Sequence, residues 1–334
     1  MCPKISKKSL CPLRVLVQWA TMTSLVLGAS ACQTMKTRDQ LAREGESDEN
    51  IPSQVREMGP PRPGTPPASP LAIAVSRKKA PKVGLILGPG GAKAFAHVGV
   101  LTSLQKAKVP VESIVGLEWG AWVAAYYAQA GHPQDAEWSL SKLKSEDLPE
   151  EKGLFNTRLS PLNIDSLEKF LNSTFHVTDL TKVKIPMACP IVSAKSGRVT
   201  WIAKGDIRNA MRQCLVYPPL FLSGDSEYFA GAGEIKAAAQ YLRNQGMELI
   251  IFVNVLSENP ALPSKVVKDD PVLALHYHTL SRLLADPAGP VDEVITIPTA
   301  TAHILDIEKR RALVQEGLKR GTMAAQRMAN KYGF

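Results

Sequence analysis

Residues 83–131 read VGLILGPGGAKAFAHVGVLTSLQKAKVPVESIVGLEWGAWVAAYYAQAG. Two short apolar runs, VGLILG (83–88) and VESIVG (111–116), each end in glycine and give way to a helical stretch. The first of these, 92–107, places Phe95, Val98, Leu101 and Leu104 on one face; the second, 119–131, stops at Gly131 and Pro133. Strands alternating with helices predict an α/β fold with a largely parallel sheet covered by helices on both faces. The second junction, GLEWG (116–120), has the frame of the nucleophile elbow G-x-S-x-G, but Glu118 stands where serine belongs.

The same alternation continues outward. Further strands are expected at 187–194, 199–203, 249–256 and 293–298. Helices are expected near 135–144, 163–174, 206–214, 234–246, 271–284 and 306–330. No fixed-period repeat interrupts the pattern, so residues 82–334 read as one domain. With 45% apolar residues the chain can bury a substantial core.

Residues 1–31 contain Lys4, Lys7, Lys8 and Arg14, no acid, an apolar stretch from Leu13 to Leu27, and small residues before Cys32. This is the pattern of an export signal, and its apolar run is short of the roughly 20 residues a membrane span needs. The sequence LGASAC (27–32) resembles a bacterial lipobox, which predicts lipidation of Cys32. Ala-Ser-Ala before it is also an ordinary signal-peptidase site, which would leave a free thiol. Acyl chains at about 0.8 kcal/mol per buried methylene would hold the chain on a membrane. Gln33 after Cys32 lacks the aspartate associated with inner-membrane retention, so an outer-membrane anchor facing the periplasm is expected. Residues 32–81 are charged and then proline-rich, a composition expected to stay disordered and to act as a tether.

The formal charge of +9 falls to 9 − 4 = +5 without the first 31 residues, too mild to imply nucleic acid, and no basic stretch is interleaved with aromatic residues. The six histidines are scattered except for His276 and His278, and neither Cys189 nor Cys214 has a ligand-spaced partner, so no metal and no cofactor is expected. Those two cysteines are compatible with a disulfide or with two buried thiols. The junction LGPGGAKA (87–94) offers glycine turns and free amides at a helix start, suited to an anion, but matches neither nucleotide-loop pattern.

Taken together, the stretch from Leu85 to Gly131 resembles the patatin-like phospholipases, in which a glycine-rich oxyanion loop, a helix carrying H-x-G-V-L and G-x-S-x-G follow at this spacing. IPMACPIVSAKSGRVTWIAKGDIRNAMRQCLVYPPLF (185–221) is similar to that family's middle section. GDSEYFAGAGEIKAAAQYLRNQGMELIIFVNV (224–255) is similar to the segment with its D-G-G or D-G-A motif, and LDIEKRRALVQEGLKRG (305–321) to its last helix. The resemblance implies acyl-ester hydrolysis by a Ser–Asp dyad with backbone amides stabilising the oxyanion. Three positions depart from it. The serine position holds Glu118, the aspartate position holds Ala230, and the loop's first glycine is Pro89, which has no N–H to donate. Gly90, Gly91, Ala92 and Lys93 keep the rest of the loop.

A carboxylate is a poor substitute for a hydroxyl nucleophile, and loss of a nucleophile with its partner costs about 10⁴ to 10⁶ in rate. The expectation is a pseudoenzyme that binds a phospholipid or fatty-acyl ligand, or a protein partner; the alternative is a hydrolase with relocated catalytic residues. Asp225 and Glu227 read as turn residues, His97 as a packed helix histidine, and Trp119, Trp122, Tyr126 and Tyr127 as core. Glu118 is expected to accept hydrogen bonds from amides around Gly90, Gly91 or Trp119 and to fill the former oxyanion hole. On that footing Glu118→Gln should destabilise the domain at neutral pH, and less so in acid.

Overall fold

A computed structural model describes residues 80–144, 147, 162–163, 167–218, 221–222, 227–256, 267–268, 271–287 and 289–334. All lie in one compact unit, Ala74–Phe334. The leader, Cys32, the linker as far as residue 79, and Asp225 lie outside the described residues.

The sheet is built on β1 (Val83–Leu87), β2 (Val111–Gly116), β4 (Met187–Ser193), β8 (Leu249–Asn254) and β9 (Glu293–Thr296). These five run parallel in the spatial order β4-β2-β1-β8-β9. Every residue of β1 and β8 is buried. Side chains alternate between the two faces of a strand, so complete burial means that both faces are covered, and this is why those runs are continuously apolar rather than alternating. The expected mixed α/β fold with a mostly parallel sheet is the one observed.

Two antiparallel strands extend it: the strand expected at 199–203 is present as β5 (Val199–Ile202), whereas β7 (Tyr228–Ala230) was not legible in the sequence pattern. β5 pairs antiparallel with β4 along one edge, and β7 pairs antiparallel with the last residues of β4, Ile191 to Ser193. The second addition fixes Ala230 opposite Ile191. A separate two-stranded parallel pair joins β3 (Leu162–Asn163) to β6 (Phe221–Leu222).

The helices that frame the site are α1 (Ala96–Lys106), α2 (Trp119–Ala130), α3 (Pro133–Ser141), α4 (Glu168–Thr174), α5 (Ile207–Cys214), α6 (Ile235–Asn244), α7 (Pro271–Ala285) and α8 (Arg310–Tyr332). Each coincides with an expected helix to within a few residues, except that 91–95 winds as a 3-10 turn before α1 and 307–309 as another before α8. Gly131 ends α2 in the left-handed region (φ 75°), its N–H donating to the Tyr127 carbonyl at 2.7 Å, and Pro133 opens α3.

Trp119, Trp122, Tyr126 and Tyr127 are all buried, as core residues. Trp122 meets Phe170 of α4 edge-on at 5.5 Å, and Tyr126 stacks on Phe175 at 4.4 Å while its hydroxyl bonds that of Thr174. Of the two open readings of Cys189 and Cys214, the structure carries the disulfide, with Cα atoms 6.2 Å apart, tying β4 to the end of α5.

Candidate functional site

The site lies where β1 and β2 end and their helices begin, the edge of a parallel sheet at which ligands collect. After Leu87 the Gly88 N–H still donates to the Val253 carbonyl of β8 at 2.9 Å, so the chain leaves the sheet only at Pro89. Gly91 then takes φ +55°, with the Ile304 carbonyl 2.2 Å from where a Cβ would sit, so neither the conformation nor the space admits a side chain. The Ala92 N–H donates to that carbonyl at 2.8 Å, and the Lys93 N–H returns to the Gly90 carbonyl at 3.1 Å. Of the loop positions Gly90, Gly91, Ala92 and Lys93, only the first two leave an amide facing the site.

The second junction brings Glu118 to those amides. Leu117 N–H donates to the Leu87 carbonyl at 2.9 Å, and Glu118 follows at φ 53°, ψ −126°, a backbone state that an L side chain rarely adopts. This is the strained turn of a nucleophile elbow, here built around a glutamate. Glu118 Oε2 accepts from Gly90 N–H at 2.7 Å and from Gly91 N–H at 3.1 Å. The Trp119 amide, at the start of α2, acts on the carboxyl in the same sense. The expected hydrogen bonds from the Gly90 and Gly91 amides to Glu118 are thus observed.

The expected charge balance is not. Glu118 is only 1% exposed, and burial raises its pKa above 4.5 more than the amides of Gly90, Gly91 and Trp119 lower it. The fold therefore favours the protonated acid relative to water, and the expectation that Glu118→Gln destabilises most at neutral pH is corrected in sign. Oε1 has no partner at hydrogen-bonding geometry among the described residues.

Three residues that sequence reasoning missed complete the surroundings. Tyr217 follows α5, and His276 and Tyr277 lie on α7. Tyr217 lies 4.9 Å from His276 and 6.5 Å from Tyr277, ring centroid to ring centroid. The phenols of Tyr217 and Tyr277 are both pushed up, first by burial and then by the nearby Glu118 charge, so they stay protonated. The Tyr277 hydroxyl and His276 Nε2 are buried without a hydrogen-bond partner among the described residues, and burial lowers the His276 pKa. The only sequence signal was the near-adjacent pair His276 and His278.

Ala230, at the family's aspartate position, is buried, and its N–H donates to the Val216 carbonyl at 2.6 Å. That bond sets it beside Tyr217 with a methyl group where a carboxylate would be required. Glu227 is exposed, as a turn residue would be. His97 is fully buried and turns Nε2 to the Gly88 carbonyl at 2.8 Å. Burial pushes its pKa down to about 4, so the ring is neutral and donates to that carbonyl, as a packing histidine. Lys93 is also fully buried, its Nζ donating to the Thr299 carbonyl at 3.2 Å; burial lowers its pKa to about 8. It braces the loop against the segment after β9. Among the described residues no group of three or more His, Cys, Asp or Glu is gathered as for a metal ion.

Chemically, the arrangement can hold a proton on a buried carboxyl and donate from neutral phenols. Among the described residues, the elbow position itself carries a carboxyl and no hydroxyl or thiol.

The family model for patatin-like phospholipases matches residues 85–246. A relative, the uncharacterized NTE family protein Rv1063c of Mycobacterium tuberculosis, is 26% identical over 153 residues, 45% of this chain and 41% of its own. Lysophospholipase nte1 of Aspergillus fumigatus is 49% identical over 47 residues, 14% of this chain and 3% of that protein. The chain thus spans about two fifths of the length of the mycobacterial relative and a small fraction of the fungal one. The crystal structure of VipD from Legionella pneumophila aligns at 13% identity with a TM-score of 0.44, covering 74% of this chain and 67% of that chain. By the loop and elbow and by the family model matched over 85–246, that stretch of the chain is a patatin-like phospholipase domain.

Proposed function

We propose that this domain has lost ester hydrolysis and works by binding. Its ligand would be a phospholipid or fatty-acyl chain, or else a protein partner for which the domain is a scaffold. Lipidated Cys32 would tether it to the bacterial envelope, in the outer membrane facing the periplasm. The observation that carries this reading is the bond pair from Gly90 and Gly91 to Glu118 Oε2, at 2.7 and 3.1 Å. Amides that would stabilise a transient oxyanion are already engaged by a resident carboxyl, and Pro89 adds no donor. The relatives, an NTE family protein and a lysophospholipase, favour an acyl lipid as the ligand class.

A rival reading, an acyl-ester hydrolase with relocated residues, draws on Glu118 itself: a buried carboxyl of raised pKa beside two neutral phenols has the makings of a general acid or base. One assay separates the two. The purified whole chain is given short-chain esters and lysophospholipid, and no release of acid above the uncatalysed background is expected. Turnover in the parent that disappears in Glu118→Gln would establish the hydrolase instead.

The tether has its own test. Cells fed radioactive palmitate should yield labelled protein, and Cys32→Ala should abolish the label. An unlabelled parent would remove the anchor from the proposal.

A further inference from the structure

Away from the elbow, on the other side of the 3-10 turn that follows the loop, α3 and α8 enclose a groove of about 430 Å³. Its floor includes Phe95, Val98, Leu140 and Val314, of which the first three are buried side chains. Its rim carries Trp138, Arg310 and Arg311. Trp138 is 67% exposed, among the most exposed large apolar residues described, and the Lys142 ammonium lies 5.2 Å over its ring. Arg310 is held at the edge by its bond to the Leu143 carbonyl at 2.6 Å. Arg311 is exposed and has no ion-pair partner among the described residues. The one acid lining the groove is Glu137.

We infer that this groove docks a phospholipid of an anionic membrane leaflet, the headgroup phosphate meeting Arg310, Arg311 and Lys142 while Trp138 enters the interfacial layer. Three features choose this occupant. An indole with an exposed apolar body is the side chain best suited to the boundary between headgroups and acyl chains. Arg310 and Arg311 against the one acid Glu137, with the Lys142 ammonium over the Trp138 ring, give the rim the charge complement of an anionic headgroup. The apolar floor of Phe95, Val98, Leu140 and Val314 accepts acyl methylenes, while Gln134 and Ser141 are the uncharged polar residues of the lining. The inference is independent of the reading of Glu118, because none of these residues belongs to that site.

Quenching by brominated acyl chains tests it directly. The whole chain carrying Cys32→Ala, so that no acyl anchor contributes, is mixed with vesicles of brominated phosphatidylcholine with or without phosphatidylglycerol. In the anionic vesicles a component of tryptophan emission should be quenched, and Trp138→Phe, which keeps an apolar ring, should remove that component. Arg311→Gln should raise the lipid concentration needed for it by about fivefold, the effect of one interfacial charge. Salt should weaken it in the same direction. Both substitutions are at exposed positions, and unchanged thermal midpoints verify folding. Equal quenching of the parent and Trp138→Phe would overturn the proposal. So would equal quenching with and without phosphatidylglycerol, or sedimentation showing that Trp138 is covered by a second copy of the chain.

Discussion

Gly120→Ala is expected to remove the native state or to leave it barely populated. A Cβ at residue 120 would lie 2.3 Å from the Leu87 carbonyl oxygen, 2.6 Å from that of Gly88 and 2.8 Å from the Leu87 carbonyl carbon. All three are backbone atoms of the central strand's end, and they cannot rotate away as a side chain would. The Leu87 oxygen also accepts from Leu117 N–H at 2.9 Å, so moving it would undo the entry to the elbow itself. Relief therefore requires separating α2 from β1, which lie at the centre of the buried core. That cost should exceed the 4–5 kcal/mol that marks exceptional substitutions, against a total stability of about 5–15 kcal/mol. Gly205→Ala supplies the comparison: its φ is +92°, yet nothing lies within 4 Å of the added methyl, so only backbone strain of about 1–3 kcal/mol applies. Urea unfolding of both variants decides the matter. Equal midpoints would mean that the elbow is not closely packed.

This packing explains why the elbow could be read from the sequence with Glu118 at its centre. Glycines 116 and 120 are required by the approach of α2 to the strands, not by catalysis: a Cβ at Gly116 would meet Ala121 Cα at 2.1 Å. The frame G-x-x-x-G therefore persists as a condition of folding. The central strands were legible for a related reason, since burial on both faces makes them continuous apolar runs bounded by glycine. β7 was not legible because it is three residues long and owes its place to pairing with β4. The order of strands in the sheet depends on crossovers that no local pattern records.

The site was legible only in part, and the division is physical. Two junctions close in sequence and each marked by glycines brought Glu118 to the amides of Gly90 and Gly91 as expected. Tyr217, His276 and Tyr277 lie 99 and more residues beyond Glu118, and nothing in their own neighbourhoods announces that they converge. The Lys93 position matched the loop, but the sequence did not show that its ammonium would turn to Thr299. Depth is the quantity missing from the sequence: amide donors can be inferred from glycines, whereas complete burial of a carboxyl depends on the packing of several distant segments.

That missing quantity governs the response of Glu118→Gln to pH. Three amides favour the carboxylate, and they are the charge-stabilising groups acting on it; Tyr217 and Tyr277 remain neutral, and Lys93 turns its ammonium to the Thr299 carbonyl. Burial outweighs the amides, so the folded pKa stands above the unfolded value of 4.5. Between those two values the folded chain holds a proton that the unfolded chain has released, and stability must fall as pH rises. The slope contributed by one such group is about 1.4 kcal/mol per pH unit. Below 4.5 both states are protonated and the contribution is constant; above the folded pKa both are ionised and it is constant again. Glutamine has no proton to lose, keeps an oxygen for the Gly90 and Gly91 amides, and leaves the φ 53° backbone as it was. Its stability relative to the parent should therefore be greater at pH 7 than at pH 4, every other titrating group being common to both chains. Urea unfolding of parent and variant at the two pH values measures the difference of differences. A variant that is relatively weaker at pH 7 would show that the amides prevail over burial, and that the Gly90 and Gly91 amides hold a permanent anion rather than a neutral acid.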